Sequence, residues 1–167
     1  DLLVNRFSGD LVWFQNDGNQ VFTLNTVNNA ETAWIDASPH ATDFDLDGDQ
    51  DILVNAGGLS WYENDGNQSF SRLFINGRDG IYEFFDYDYD GDGDKDVLGL
   101  SSDGFKMFWY ENDSSPYDST FNEHLIDELN SGGKPTFKIS DIDNDGDIDI
   151  IVATVSPHKI FWYENDG

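Results

Sequence analysis

The sequence predicts an all-β fold of repeated four-stranded antiparallel units, and three observations carry that prediction. A Trp-aromatic pair followed by a turn recurs four times, as Trp13-Phe14-Gln15-Asn16-Asp17-Gly18, Trp61-Tyr62-Glu63-Asn64-Asp65-Gly66, Trp109-Tyr110-Glu111-Asn112-Asp113 and Trp162-Tyr163-Glu164-Asn165-Asp166-Gly167. The tryptophans lie 48, 48 and 53 residues apart. Between them an aspartate ladder appears three times, as DFDLDGDQDI (Asp43 to Ile52), DYDGDGDKDV (Asp88 to Val97) and DIDNDGDIDI (Asp141 to Ile150). Each ladder runs into a β-branched apolar stretch, the signature of a short buried strand. A period near fifty built from several short strands is that of a β-propeller blade.

The elements follow in order within one period. Strand A is expected at about Trp34 to Thr42, Tyr82 to Phe85 and Thr136 to Ser140, each leading into a ladder. Strand B follows the ladder, as in Ile52-Leu53-Val54, Val97-Leu98 and Ile150-Ile151-Val152. Strand C carries the Trp-Tyr pair, and Asn-Asp-Gly supplies hairpin turn chemistry after it. Strand D is read at Val21 to Thr23, Phe70 to Leu73 and Phe121 to Ile126. Irregular surface loops are expected near Ser114 to Thr120 and around Asp127 to Pro135. The organisation is a single propeller segment, with a partial blade at 1–18 (strands B and C) and periods 19–66, 67–114 and 115–167. Asp1-Leu2-Leu3-Val4-Asn5 aligns with Asp51-Ile52-Leu53-Val54-Asn55, which makes Asp1 the ninth position of a further ladder. The strand tally is then three, four, four and three, an incomplete propeller whose further blades would come from the same or another chain.

Each ladder places carboxylates at relative positions 1, 3, 5, 7 and 9 with glycine at 6. A hard cation of calcium's size takes six to eight oxygen ligands, and alternate side chains of a tight loop converge to supply them. Gly48, Gly93 and Gly146 permit the sharp turn. The expected ligand residues are Asp43, Asp45, Asp47, Asp49 and Asp51; Asp88, Asp90, Asp92, Asp94 and Asp96; and Asp141, Asp143, Asp145, Asp147 and Asp149. Positions 1, 3, 5 and 9 are to give carboxylates and position 7 mainly its carbonyl, for about three Ca²⁺ ions. An EF-hand is excluded, because position 12 is Val54, Gly99 or Val152 rather than Glu and no helix leaves the loop. Asp51, Asp96 and Asp149 must close the site from the first residue of a strand. The competing reading, an acidic solvated turn, has to explain three copies with glycine in register.

Acids outnumber bases by 34 to 8, a formal charge of −26, and the ladders hold 15 of those acids. Self-repulsion of that size is relieved by bound cations. Nucleic acid and anionic membrane surfaces are poor partners for this field, and no run is apolar enough for membrane insertion. There is no cysteine, so disulfide stapling is excluded. Short-loop calcium sites suit millimolar extracellular calcium, which favours an extracellular or cell-surface location.

The ladder, the strand after it and Trp-Tyr-Glu-Asn-Asp-Gly together resemble the FG-GAP/VCBS repeats of secreted bacterial proteins, related to the integrin α-subunit propeller. The resemblance covers nearly the whole chain and implies calcium-loop blades. For function it implies an adhesive or ligand-binding module, with an extracellular glycan or protein as partner and no catalysis, or alternatively part of a propeller enzyme such as a polysaccharide lyase. Trp61, Trp109 and Trp162 read as packing between blades, with Tyr62, Tyr110 and Tyr163 on the other sheet face. His40, His124 and His158 do not repeat and lack a nearby catalytic arrangement. A lyase set, if present, would draw on His158 with Arg78 or Lys134. Up-and-down blades put the ladders and the Asn-Asp-Gly turns at one end. Arg6, Lys106 and Lys159 beside B–C turns, and Arg78 and Lys134 in D–A connections, then fall at the other. With His158 they form the candidate ligand-binding set, suited to a polar or anionic ligand such as a uronate-bearing glycan.

Overall fold

The computed structural model describes residues 1–6, 10–27, 39–76, 80–113 and 121–167. These residues contain fourteen strands: β1 (Leu2–Asn5), β2 (Leu11–Asn16), β3 (Phe22–Thr26), β4 (His40–Thr42), β5 (Asp51–Asn55), β6 (Leu59–Asn64), β7 (Phe70–Asn76), β8 (Ile81–Tyr87), β9 (Asp96–Ser101), β10 (Lys106–Glu111), β11 (Asn122–Glu128), β12 (Gly133–Ser140), β13 (Asp149–Val155) and β14 (Lys159–Tyr163). No helix occurs among the described residues. The strands form four antiparallel meanders, β1-β2-β3, β4-β5-β6-β7, β8-β9-β10-β11 and β12-β13-β14. The tally of three, four, four and three strands is that read from the sequence.

Two compact units divide the chain at Asp79/Gly80, each holding two sheets. In the first unit Leu11 of the first sheet packs with Ile52, Val54, Ala56 and Tyr62 of the second. In the second unit Leu98, Leu100 and Met107 of the third sheet pack with Phe137, Ile150 and Val152 of the fourth. Strand alternation decides which side chains meet. Ile52 pairs with Tyr62 and Val54 with Ser60, so these share the face turned to the first sheet. Glu83 of β8 ties the two sheets of the second unit together, accepting from the Thr136 hydroxyl at 2.9 Å, the Phe137 N–H at 3.3 Å and the Lys138 ammonium at 3.1 Å. The Tyr82 hydroxyl adds a bond to the Pro135 carbonyl at 2.7 Å.

Several strand limits differ from those expected. β7 and β11 run on to Asn76 and Glu128, and β12 starts at Gly133, so the connection expected at Asp127 to Pro135 shrinks to the few residues between Glu128 and Gly133. Pro135 is accommodated because β12 is an edge strand whose register shifts between Gly133 and Thr136, which leaves Pro135 no ladder bond to lose. Lys134 therefore sits in a strand rather than in a D–A loop. Trp34, Arg78 and the loop expected at 114–120 lie outside the described residues.

The aromatic reading divides by residue type. Tyr62 and Tyr110 are buried, whereas Trp61 and Trp109 are half-buried and Trp162 is 49% exposed. Trp61 lies against Phe44 at 5.1 Å and Trp109 stacks on His124 at 4.7 Å.

Candidate metal centres

Each ladder forms a tight loop between two neighbouring strands of one sheet. The third, fifth and seventh residues repeat one backbone-capping pattern. In the first ladder the Asp47 N–H donates to Asp45 Oδ1 at 3.3 Å and the Asp49 N–H to Asp47 Oδ1 at 2.8 Å. The second ladder repeats these bonds with Asp90, Asp92 and Asp94, and the third with Asp143, Asp145 and Asp147. Aspartate side chains that bond the backbone two residues on hold the chain in successive turns. The sixth-position glycines take φ of 102°, 103° and 107°, which a side chain would resist.

This winding brings three carboxylates together in every loop. One oxygen from each of Asp43, Asp45 and Asp47 lies within 4.8 Å of the others, and the same holds for Asp88, Asp90 and Asp92 and for Asp141, Asp143 and Asp145. Like charges so close oppose ionisation. Burial and the charge of Asp51 hold the Asp45 carboxyl above its ordinary value. Burial together with Asp92, Asp88 and Asp90 does the same to Asp94, and desolvation with Asp145 and Asp149 to Asp143.

The first-position residue supplies the best indication of what belongs there. Asp43 Oδ1 and Asp88 Oδ1 are buried with no hydrogen-bond partner. A buried carboxylate oxygen without a donor is costly unless a cation answers it. An all-oxygen set of clustered carboxylates suits a hard divalent ion such as Ca²⁺ better than a metal that prefers thiolate or imidazole.

The ninth-position residues behave differently. Asp51, Asp96 and Asp149 open β5, β9 and β13, as expected, and all are fully buried. Asp51 Oδ2 accepts from the Phe44 N–H at 3.1 Å and Oδ1 from the Asn64 N–H at 2.8 Å. Asp96 accepts from Tyr89 at 3.1 Å and Asn112 at 2.8 Å, and Asp149 from Ile142 at 3.0 Å and Asn165 at 2.9 Å. One carboxylate thus clamps the entry of the loop to the end of strand C. Asp1 Oδ1 accepts from the Asn16 N–H at 2.8 Å, which matches its alignment with Asp51. The deeper site pushes the Asp96 carboxyl up to about 6, burial outweighing its two backbone bonds. Asp149 goes the other way, the Asn165 N–H holding it below the ordinary value against desolvation.

Three features of the site escaped the sequence reading. The Asn of Asn-Asp-Gly does more than turn the chain: besides its N–H bond, its side-chain amide donates to the carbonyl before the ninth residue, Asn64 to Gln50 at 3.1 Å and Asn112 to Lys95 at 3.2 Å. Its recurrence after every Trp pair was the available signal. The seventh-position side chain meets the turn glycine, since a Cβ on Gly66 would come 2.5 Å from Asp49 Oδ2 and one on Gly167 3.2 Å from Asp147 Oδ2. The fourth position is left-handed in every ladder, at Leu46 (φ 62°), Gly91 (φ 75°) and Asn144 (φ 67°). Gly and Asn suit that conformation and Leu does not.

Three of the candidate basic side chains meet partners within the fold. Lys106 pairs with Glu128 at 3.1 Å, Lys134 lies 4.7 Å from the centre of the Tyr82 ring and Lys159 lies 5.8 Å from that of Phe161. Arg6 follows β1, where its N–H donates to the Asp10 carbonyl at 2.9 Å, and His158 stands in the turn between β13 and β14. His124 bonds Glu111 at 2.7 Å. Arg72, which carried no sequence signal, donates to the Ala56 carbonyl and Ser60 Oγ and covers the Phe74 ring at 4.1 Å. A crevice of about 330 Å³ separates the first two sheets near the first ladder, lined chiefly by Leu3, Trp13, Ala41, Ile52 and Phe70.

The repeat unit and its loop geometry can now be set against known families. Residues 1–54 match the family model for the FG-GAP-like repeat. That stretch contains the first sheet and the whole first ladder, and the match bears out the resemblance read from the residues. Neither the curated proteins nor the solved structures compared with the chain give a match. Among the described residues no helix is long and apolar enough to cross a membrane.

Proposed function

We propose that this chain is a calcium-binding segment of a β-propeller that serves outside the cell as a binding or adhesion module without catalysis. The observation that carries the reading is the threefold recurrence of one carboxylate cluster, with a buried, unpartnered oxygen at Asp43 and at Asp88. Carboxylates at the first, third and fifth positions would hold Ca²⁺, the seventh residue would add its carbonyl, and the ninth would add what its backbone bonds leave free. The ion supplies positive charge where the loops concentrate negative charge, and so fixes the end of each sheet that carries the Asn-Asp-Gly turn. The four meanders, the 48-residue spacing and the FG-GAP-like match support the propeller assignment.

The ligand end would be the one opposite the ladders, where in the second unit Lys106, Lys159 and His158 border B–C turns; a uronate-bearing glycan or an acidic protein loop fits their charge. Isothermal titration with Ca²⁺ tests the metal reading. Three ions per chain are expected, and two for Asp45→Ala; no calcium uptake would reject it. A glycan array probed with calcium and with chelator tests the binding role. Unsaturated sugar products appearing in that assay would instead establish a lyase.

A further inference from the structure

The second and third ladders, both in the second unit, are joined by a continuous run of hydrogen bonds. Tyr89 stands between Asp88 and Asp90, two members of the second carboxylate cluster. Its N–H donates to Asp96 Oδ2 at 3.1 Å, and its carbonyl accepts from the side-chain amide of Asn165 at 3.1 Å. The Asn165 N–H donates to Asp149 Oδ1 at 2.9 Å, and Asp149 Oδ2 accepts from the Ile142 N–H at 3.0 Å. Ile142 stands between Asp141 and Asp143, two members of the third cluster. The run starts beside one candidate ion site and ends beside another.

The matching asparagines of the second and third sheets do not make this link. Asn64 and Asn112 turn their amides to the carbonyls of Gln50 and Lys95, each within its own ladder. Asn165 reaches 76 residues back, to the ladder of the neighbouring sheet. A second contact runs alongside. The Tyr89 ring packs against the core shared by the third and fourth sheets, and its hydroxyl is buried. Burial first, and then the charge of Asp149, holds that hydroxyl above the ordinary tyrosine pKa, so the ring lies in the field of the residue that closes the third ladder.

An ion held by Asp88 and Asp90 would fix the backbone between them, because a loaded loop gives up the freedom that its repelling carboxylates leave it. Tyr89 is the residue so fixed. Holding its carbonyl and ring in place orders Asn165, and with it the clamp on Asp149 that closes the third loop. The ion at the third ladder then has less ordering left to do, which is positive coupling without a change of fold. Charge opposes this, since one ion weakens the field that draws the next, but saline screens that opposition.

We infer that the second and third ladders bind calcium cooperatively, with Asn165 as the link between them. The inference rests on the calcium reading given above. The coupling is reciprocal, each ion raising the affinity for the other by one factor, expected to be about five.

Isothermal titration with CaCl₂ in about 0.15 M saline, on the 167-residue chain carrying Asp45→Ala to silence the first ladder, measures that factor. Adding Asp90→Ala leaves only the third ladder, and adding Asp143→Ala leaves only the second. The overall constant of the two-site chain, divided by the product of the two single-site constants, is the coupling factor. It should be about five, fall to about one when Asn165→Ala is added to all three chains, and stay at about five with Asn112→Ala, whose wild-type amide serves its own ladder. Asn165→Asp keeps the acceptor that the Gly167 N–H uses and removes the donor, so it should match Asn165→Ala. Circular dichroism verifies that the variants are folded. A factor of one or less in the two-site chain, or a factor that both Asn165 variants leave unchanged, would overturn the coupling while the single sites still take up calcium. No uptake by either single-site chain would reject the calcium reading itself, and the inference with it.

Discussion

The two ends of each aspartate ladder are built from the same residue type and do opposite work. Asp45 and Asp47 are exposed and crowd with Asp43, and what they gain from backbone N–H groups does not remove their mutual repulsion. Asp51, eight residues on from Asp43, is fully buried and accepts one N–H from the loop entry and one from strand C. A carboxylate's role here is set by what surrounds it: a backbone donor on each oxygen makes the ninth position part of the fold, whereas crowding of the first, third and fifth positions concentrates negative charge that a cation would relieve.

Removing calcium should separate the two ends most strongly. At an ion concentration ten times Kd each site adds about 1.4 kcal/mol, so three sites counted separately contribute about 4 kcal/mol. Thermal unfolding in calcium and in chelator should differ by about 10 °C. Equal curves would show that the clusters need no ion. The pH dependence should also reverse. The folded Asp96 carboxyl lies at about 6, above its ordinary value, so the chelated protein binds protons more readily when folded. The stability that this group contributes to the chelated protein should be fully present below about pH 4 and be lost as pH rises through about 6, whereas the calcium form should lose stability on acidification because protons compete with the ion.

Substitutions within the first ladder should sharpen the contrast. Asp51→Ala leaves the Phe44 and Asn64 N–H groups without their acceptor and is expected to cost about 3 kcal/mol with chelator and more with calcium, read by denaturant unfolding. Asp45→Ala should cost about 1.4 kcal/mol with calcium, and nothing or less than nothing with chelator, since it relieves crowding. An Asp51→Ala loss confined to calcium buffer would place the ninth residue with the ion rather than with the fold. The smallest effect concerns the fourth position. Leu46→Gly should stabilise the chain by about 1 kcal/mol by relieving the left-handed backbone, while Asn144→Leu should destabilise it by a similar amount.

Much of this was legible because it repeats. The ladders, the sheet tally and the placing of Asp51, Asp96 and Asp149 at strand starts follow from periods of two and of about fifty in the residues themselves. What was hidden depends on partners distant in the chain. The bond from Asn64 to Asp51 spans 13 residues and that from Asn112 to Asp96 spans 16, so a turn signal concealed a clamp. The Glu83 staple across 53 to 55 residues has no local trace at all. The start of β12 was hidden because Pro135 is tolerated there only by an edge strand beside a register shift, which no local residue pattern announces. The exposed Trp162 shows a third limit, since a repeated residue keeps its place in the pattern whether or not its surroundings bury it.

The ninth-position clamp has a kinetic consequence. Its two donors come from opposite sides, the loop entry and the end of the hairpin that follows, so the carboxylate is satisfied only after that hairpin has closed. An ion that needs the wound loop therefore meets a chain that has already crossed most of its folding barrier. Calcium should leave the refolding rate nearly unchanged and slow unfolding instead, the behaviour of an interaction formed after the transition state. In a calcium-rich medium the ions would act as latches on a completed structure, lengthening its lifetime against local opening more than assisting its assembly.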